Sequence, residues 1–111
     1  MVSIQVQPHE NILILTLQGA MTQNNVAQFK MLFEDMYEKG WRQFIFDFGE
    51  VTQLDGAGLR ELVAAYRTAK RVRGNVILVQ VPEPIEEIIE SAGFRAVFQF
   101  SSTQEQALSQ F

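Results

Sequence analysis

The sequence predicts an α/β fold: a single domain with a mixed, mostly parallel β-sheet, an N-terminal hairpin and about four helices. Three observations carry this. Two strand-like segments meet across a short polar turn near the start of the chain. Further strand-like segments then alternate with segments of helical periodicity, which implies parallel pairing through right-handed crossovers. One of them, Val76-Ile77-Leu78-Val79, is apolar without alternation, the pattern of a strand covered on both faces.

Taken in order, residues 2–7 (Val-Ser-Ile-Gln-Val-Gln) alternate apolar and polar and read as a half-buried strand. Pro8-His9-Glu10-Asn11 is the turn, and residues 12–17 form a more central strand that Gly19 closes. Thr22 is the expected N-cap of a helix whose apolar face is Val26, Phe29, Phe33, Met36 and Tyr37, stopped at Gly40. Residues 44–48 are the third strand, 49–54 a loop, and Asp55 opens a helix carrying Leu59, Leu62, Val63 and Tyr66, which runs out at Arg73-Gly74. After the strand at 76–79, Pro82-Glu83-Pro84 starts a helix with Ile85, Ile88, Ile89 and Ala92, stopped by Gly93. Ala96 to Phe100 is the expected last strand. Ser102 and Glu105 have capping-box spacing for a terminal helix.

At 111 residues the chain has the length of one domain, expected to span 1–111, and its 47% hydrophobic content supplies one continuous core. It has no cysteine, which removes disulfides, thiolate metal sites and cysteine nucleophiles. The formal net charge of -4 argues against a nucleic-acid surface, which needs clustered cations. Lys70, Arg71 and Arg73 end a helix, where cations complement its dipole. No apolar run approaches the roughly 20 residues of a membrane span, and the N-terminus lacks a signal peptide's basic head and apolar core. The expectation is a cytoplasmic domain with no direct membrane insertion, no metal and no cofactor.

Asp55 is the sharpest candidate residue and has two readings, a helix cap alone and a cap that also shapes a binding surface. Gly56-Ala57-Gly58 leaves that helix start unshielded, yet DGAG lacks the Lys and spacing of a P-loop and the dinucleotide glycine fingerprint. Thr52, the nearest hydroxyl, has two readings, a turn hydrogen bond and an alternative phosphorylation site. His9 reads as a solvated turn residue, Glu83, Glu86, Glu87 and Glu90 as a solvated helix face, and Trp41 as packing or a partner anchor. No nucleophile with its base and no convergent carboxylate pair can be assembled, so the chain is not read as an enzyme.

Residues 44–74, FIFDFGEVTQLDGAGLRELVAAYRTAKRVRG, resemble the central motif of STAS domains. That motif is an apolar strand ending in Asp, a loop with Val-Thr, then Asp-Ser-Ser-Gly-Leu opening an amphipathic helix. Asp47, Val51, Thr52, Asp55, Gly58 and Leu59 match it in place, and residues 75–108, NVILVQVPEPIEEIIESAGFRAVFQFSSTQEQAL, resemble the family's second half. The likeness covers essentially the whole chain. It implies a bacterial regulatory protein-binding module of the anti-sigma factor antagonist type, whose partner is a kinase-like anti-sigma factor. In such members that factor phosphorylates the serine after the motif Asp to break the complex. Other members sit in stress-signalling assemblies, on anion transporters or beside lipid-transport machinery. The unshielded helix start at Gly56 and Gly58 offers a second reading, a nucleotide or small-ligand sensor.

The chain departs from the motif where the switch resides. Gly56 occupies the phosphoacceptor position and Ala57 the next, and neither carries a hydroxyl. The second family acid, in Gly-x-Leu-Asp after the second strand, is also replaced, by Gly19-Ala20-Met21-Thr22. The expected partner surface is therefore Val51, Thr52, Asp55, Gly56, Ala57, Gly58, Leu59 and Arg60, extended along the outward helix face by Glu61, Ala64 and Arg67, with no phosphorylation at Gly56.

Overall fold

Five strands lie side by side in the order in which the chain makes them. The computed structural model describes residues 2–111. β1 (Val2–His9) pairs antiparallel with β2 (Ile12–Met21), and β3 (Gln43–Leu54), β4 (Asn75–Val79) and β5 (Gln99–Ser101) each add in parallel. The helices α1 (Val26–Glu38), α2 (Gly56–Arg71), α3 (Glu83–Ser91) and α4 (Gln104–Leu108) fill the connections and the C-terminal end. This is the predicted mixed sheet with its N-terminal hairpin and four helices.

Strand alternation divides the core between the two faces of the sheet. Leu13, Leu15, Leu17, Phe44, Phe46, Phe48, Val76 and Leu78 face one way, against Phe29 and Phe33 of α1, Leu59 and Leu62 of α2, and Ile85 and Ile89 of α3. Ile12, Ile14, Ile45, Ile77 and Val79 face the other way, where Ala107 and Leu108 of α4 pack against them. Aromatic contacts fix α1: Phe29 meets Phe46 edge-on at 5.2 Å and Phe33 meets Phe44 at 4.8 Å between ring centroids. Such pairs add about 0.5–1.5 kcal/mol each beyond the area they bury. Trp41 lies half-buried against this cluster, as its packing reading expects.

Several element boundaries differ from the sequence reading. β1 runs on through Pro8 to His9, leaving only Glu10 and Asn11 as the turn, with Glu10 at φ 55. Proline is tolerated there because β1 is an edge strand. β2 does not close at Gly19 but continues to Met21, and β3 continues through the expected 49–54 loop to Leu54, because the two extensions pair with each other. Thr22 is not the cap of α1. Its carbonyl accepts from the Asn25 and Val26 N–H groups (both 2.8 Å), and Asn25 occupies the cap position without a side-chain cap bond. Phe94 to Val97 is a turn closed by a Val97 N–H to Phe94 carbonyl bond (3.0 Å), so the last strand is only Gln99–Ser101. The cap of α4 is Thr103 rather than Ser102: its Oγ1 accepts from the Gln106 N–H (3.1 Å).

Candidate functional site

The shared extension of β2 and β3 delivers two chain segments to one corner of the molecule. Their pairing contains two irregularities: Thr16 faces Asp47 but Gln18 faces Glu50, and Gly19 faces Val51 but Ala20 faces Gln53. Thr52 is thus the extra residue of a bulge. It turns the strand so that Val51 and Leu54, three residues apart, both point inward. Gly19, at φ 104, supplies the matching bend in β2. The result sets Met21 to Gln23 directly against the start of α2.

Asp55 joins these segments. Its backbone is extended (φ -111, ψ -175), as a cap requires, and its Oδ1 accepts from the Gly58 N–H at 2.9 Å. Its Oδ2 accepts from the Gln23 N–H, also at 2.9 Å, and its own N–H donates to the Met21 carbonyl at 3.3 Å. The Gly58 N–H first, then the Gln23 N–H, hold the Asp55 carboxyl below its usual value of 3.8. Capping is therefore only half of what Asp55 does. The other half is to fix the Met21–Gln23 corner, the stretch in which the sequence lacks the second family acid.

The three small residues after Asp55 do different things. Gly58 is buried, and a Cβ there would collide with the Met21 carbonyl oxygen and come within 2.8 Å of Leu54 Cδ1. Gly56 is exposed, and a Cβ would meet nothing within 4 Å. Ala57 is half-buried between them. Of the expected surface residues, Val51, Gly58 and Leu59 lie in the interior, so they form the floor of the corner and not its contact surface. Thr52, Gly56 and Arg60 are exposed, with Ala64 and Arg67 further along the same helix and Glu61 half-buried beside them. The Thr52 turn reading does not hold, since the residue sits in a strand bulge.

The remaining candidates lie elsewhere. His9 ends β1 opposite the start of β2, roughly 30 Å along that strand from Met21, and sits 3.5 Å from Glu10. Glu86 pairs with Arg95 at 3.0 Å, while Glu83, Glu87 and Glu90 are exposed. Asp47 is buried on the α4 side of the sheet, where its carboxylate accepts from the Gly49 N–H (2.9 Å) and Gln104 Nε2 (2.7 Å). It thus tethers α4. Among the described residues no group of three or more His, Cys, Asp or Glu is placed to hold a metal ion, and no helix is long and apolar enough to cross a membrane. Sequence reasoning missed Gln23, which acts through its backbone and leaves no side-chain signal. It also missed Phe94, which meets the α2 face from the turn after α3.

Comparison with known proteins agrees with this fold. The STAS domain family model matches residues 3–107. BtrV of Bordetella bronchiseptica, a candidate anti-sigma factor antagonist, is 26% identical over 102 residues, covering 92% of this chain and 88% of its own. A candidate anti-sigma factor antagonist of Thermotoga maritima superposes with a TM-score of 0.91 at 18% identity, covering 96% of this chain and 92% of its own. The unphosphorylated anti-sigma factor antagonist SpoIIAA, a Bacillus cell fate determinant, gives 0.84 at 17% identity, covering 97% and 95%. The chain belongs to the STAS domain family.

Proposed function

We propose that residues 1–111 form one regulatory protein-binding domain of the anti-sigma factor antagonist type, acting in the cytoplasm and catalysing no reaction. Its partner is a kinase-like anti-sigma factor that docks on the head of α2. Thr52, Asp55, Gly56, Ala57 and Arg60 meet the partner, while Val51, Gly58 and Leu59 shape that surface from below. One observation carries the reading: the Asp55 staple is intact, with both oxygens engaged, yet the residue it displays is an exposed glycine. The platform is kept and the hydroxyl is gone. The relatives named as anti-sigma factor antagonists, BtrV and SpoIIAA among them, support the same assignment. Binding is then set by partner abundance or by a different signal, not by phosphate at position 56.

The test is to mix the chain with kinase-like anti-sigma factors and ATP, isolate the complex, and weigh the intact chain. A complex without added phosphate is the expected result. Stoichiometric phosphate within residues 51–59, on Thr52 for example, would overturn the unswitched reading. Failure of every such factor to bind would overturn the partner class.

A further inference from the structure

Helix α2 is a ridge between two grooves of opposite charge. On its α3 side Gly56, Leu59, Val63 and Phe94 line an apolar groove of about 370 Å³ whose charged lining groups are Arg60 and Arg67. On its α1 side a groove of about 540 Å³ has Phe29 and Phe33 in its wall and carries Glu34, Glu38 and Glu61 against a single cation, Lys30. Ala64 borders both.

Arg60 and Arg67 stand seven residues apart, about 10 Å along the helix axis, and both are exposed. Among the described residues the ion pairs are His9–Glu10, Lys39–Asp35 and Arg95–Glu86, so neither guanidinium is neutralised by a carboxylate of its own chain. A chain of net charge -4 therefore presents a locally positive apolar groove, continuous with the exposed Gly56. Groups held this way complement carboxylates and exclude cations.

We infer that the groove between α2 and the Phe94 turn receives an acidic segment of the partner protein. An apolar side chain of that segment seats between Val63 and Phe94, with carboxylates about 10 Å apart facing Arg60 and Arg67. The inference rests on the reading of the α2 head as a docking site and gives that site a direction. The acid-rimmed groove on the α1 side repels the same segment, so the partner straddles α2 in one orientation only.

Two synthetic helical peptides test this by amide-shift titration of the full chain. One has a central leucine with glutamate three residues before it and four after; the other carries lysine at both positions. The glutamate peptide is expected to shift the amides of Arg60, Val63, Arg67 and Phe94, and to bind more weakly at high salt. The double variant Arg60→Glu/Arg67→Glu should weaken it by roughly tenfold or more. Both sites are exposed, so the variant should fold, which its unperturbed core amides will report. Equal shifts from the lysine peptide, no shift of these amides at millimolar glutamate peptide, or an unchanged affinity in the double variant would each overturn the inference. A kinase-like anti-sigma factor that binds the wild-type chain and the double variant equally would remove the inference and take Arg60 out of the docking surface, leaving docking at Thr52, Asp55, Gly56 and Ala57 standing. A peptide response of the expected kind without any such partner would do the reverse.

Discussion

Replacing Gly58 with alanine adds one methyl group at the point where the whole corner is closed. In a helix interior the change is ordinarily favourable, by about 0.8–1.0 kcal/mol of helix propensity. Here the added Cβ would run into the Met21 carbonyl, which already accepts the Asp55 N–H, and would reach within 2.8 Å of Leu54 Cδ1 and 2.9 Å of the Met21 carbonyl carbon. Neither Met21 atom is the free end of a side chain, so β2 or α2 must shift. Overpacking of this kind costs about 1–3 kcal/mol. The packing term cancels or outweighs that gain, and the net loss is up to about 2 kcal/mol, or a fall in Tm of up to roughly 10 °C for a domain of this size. Thermal unfolding followed by circular dichroism reads it, with Gly56→Ala as the control. That control has open space around its Cβ and should be neutral or slightly stabilising. A Gly58→Ala variant that gains stability, as propensity alone dictates, would refute the close approach of α2 to β2.

Asp55→Asn should lose one of the two backbone bonds, because an amide presents one oxygen where the carboxylate presents two. The carboxyl is held below 3.8 in the folded chain, so its contribution is fully present above that value and is lost as pH falls through the lowered folded value. Urea midpoints of wild type and Asp55→Asn should differ at neutral pH and converge in acid; a gap that widens in acid would contradict the staple. Gly56→Ser should fold with a stability within about 0.5 kcal/mol of wild type. It should also accept one phosphate from a kinase-like partner, read by intact mass. Gln104→Ala should leave one Asp47 oxygen buried without its donor, at about 1–3 kcal/mol, and speed hydrogen exchange in α4. Phe46→Ala, at a fully buried ring packed on Phe29 and Phe33, should lose about 3–5 kcal/mol in a denaturant titration.

The sheet and its helices were legible because their signals are local. Phe29, Phe33, Met36 and Tyr37 repeat at helical spacing, and Phe44 to Phe48 are strongly β-prone. The end of β3 was not legible, because Gly49, Glu50, Thr52 and Gln53 carry no apolar alternation. Those residues are strand only by pairing with β2, and the bulge at Thr52 replaces the two-residue period with three between Val51 and Leu54. The same tertiary pairing explains the site. Asp55 was readable as a helix cap, but its bond to the Gln23 N–H joins residues 32 apart in the chain and leaves no trace in the composition of either segment. Val51 and Leu59 matched the family motif, which the structure explains by burial under the corner. The two charged grooves came from α2 having different neighbours on its two sides, α1 and the Phe94 turn, which a single helix's periodicity does not encode.

Hydrogen exchange of the chain, free and saturated with a kinase-like anti-sigma factor, tests the docking claim most directly. The account expects new protection at Gln23, at residues 55–60 and along the exposed face of α2, with the β1 edge and the α4 side of the sheet unchanged. A complex whose protection falls on β1 or α4 and spares Gln23 and Gly56 would contradict it.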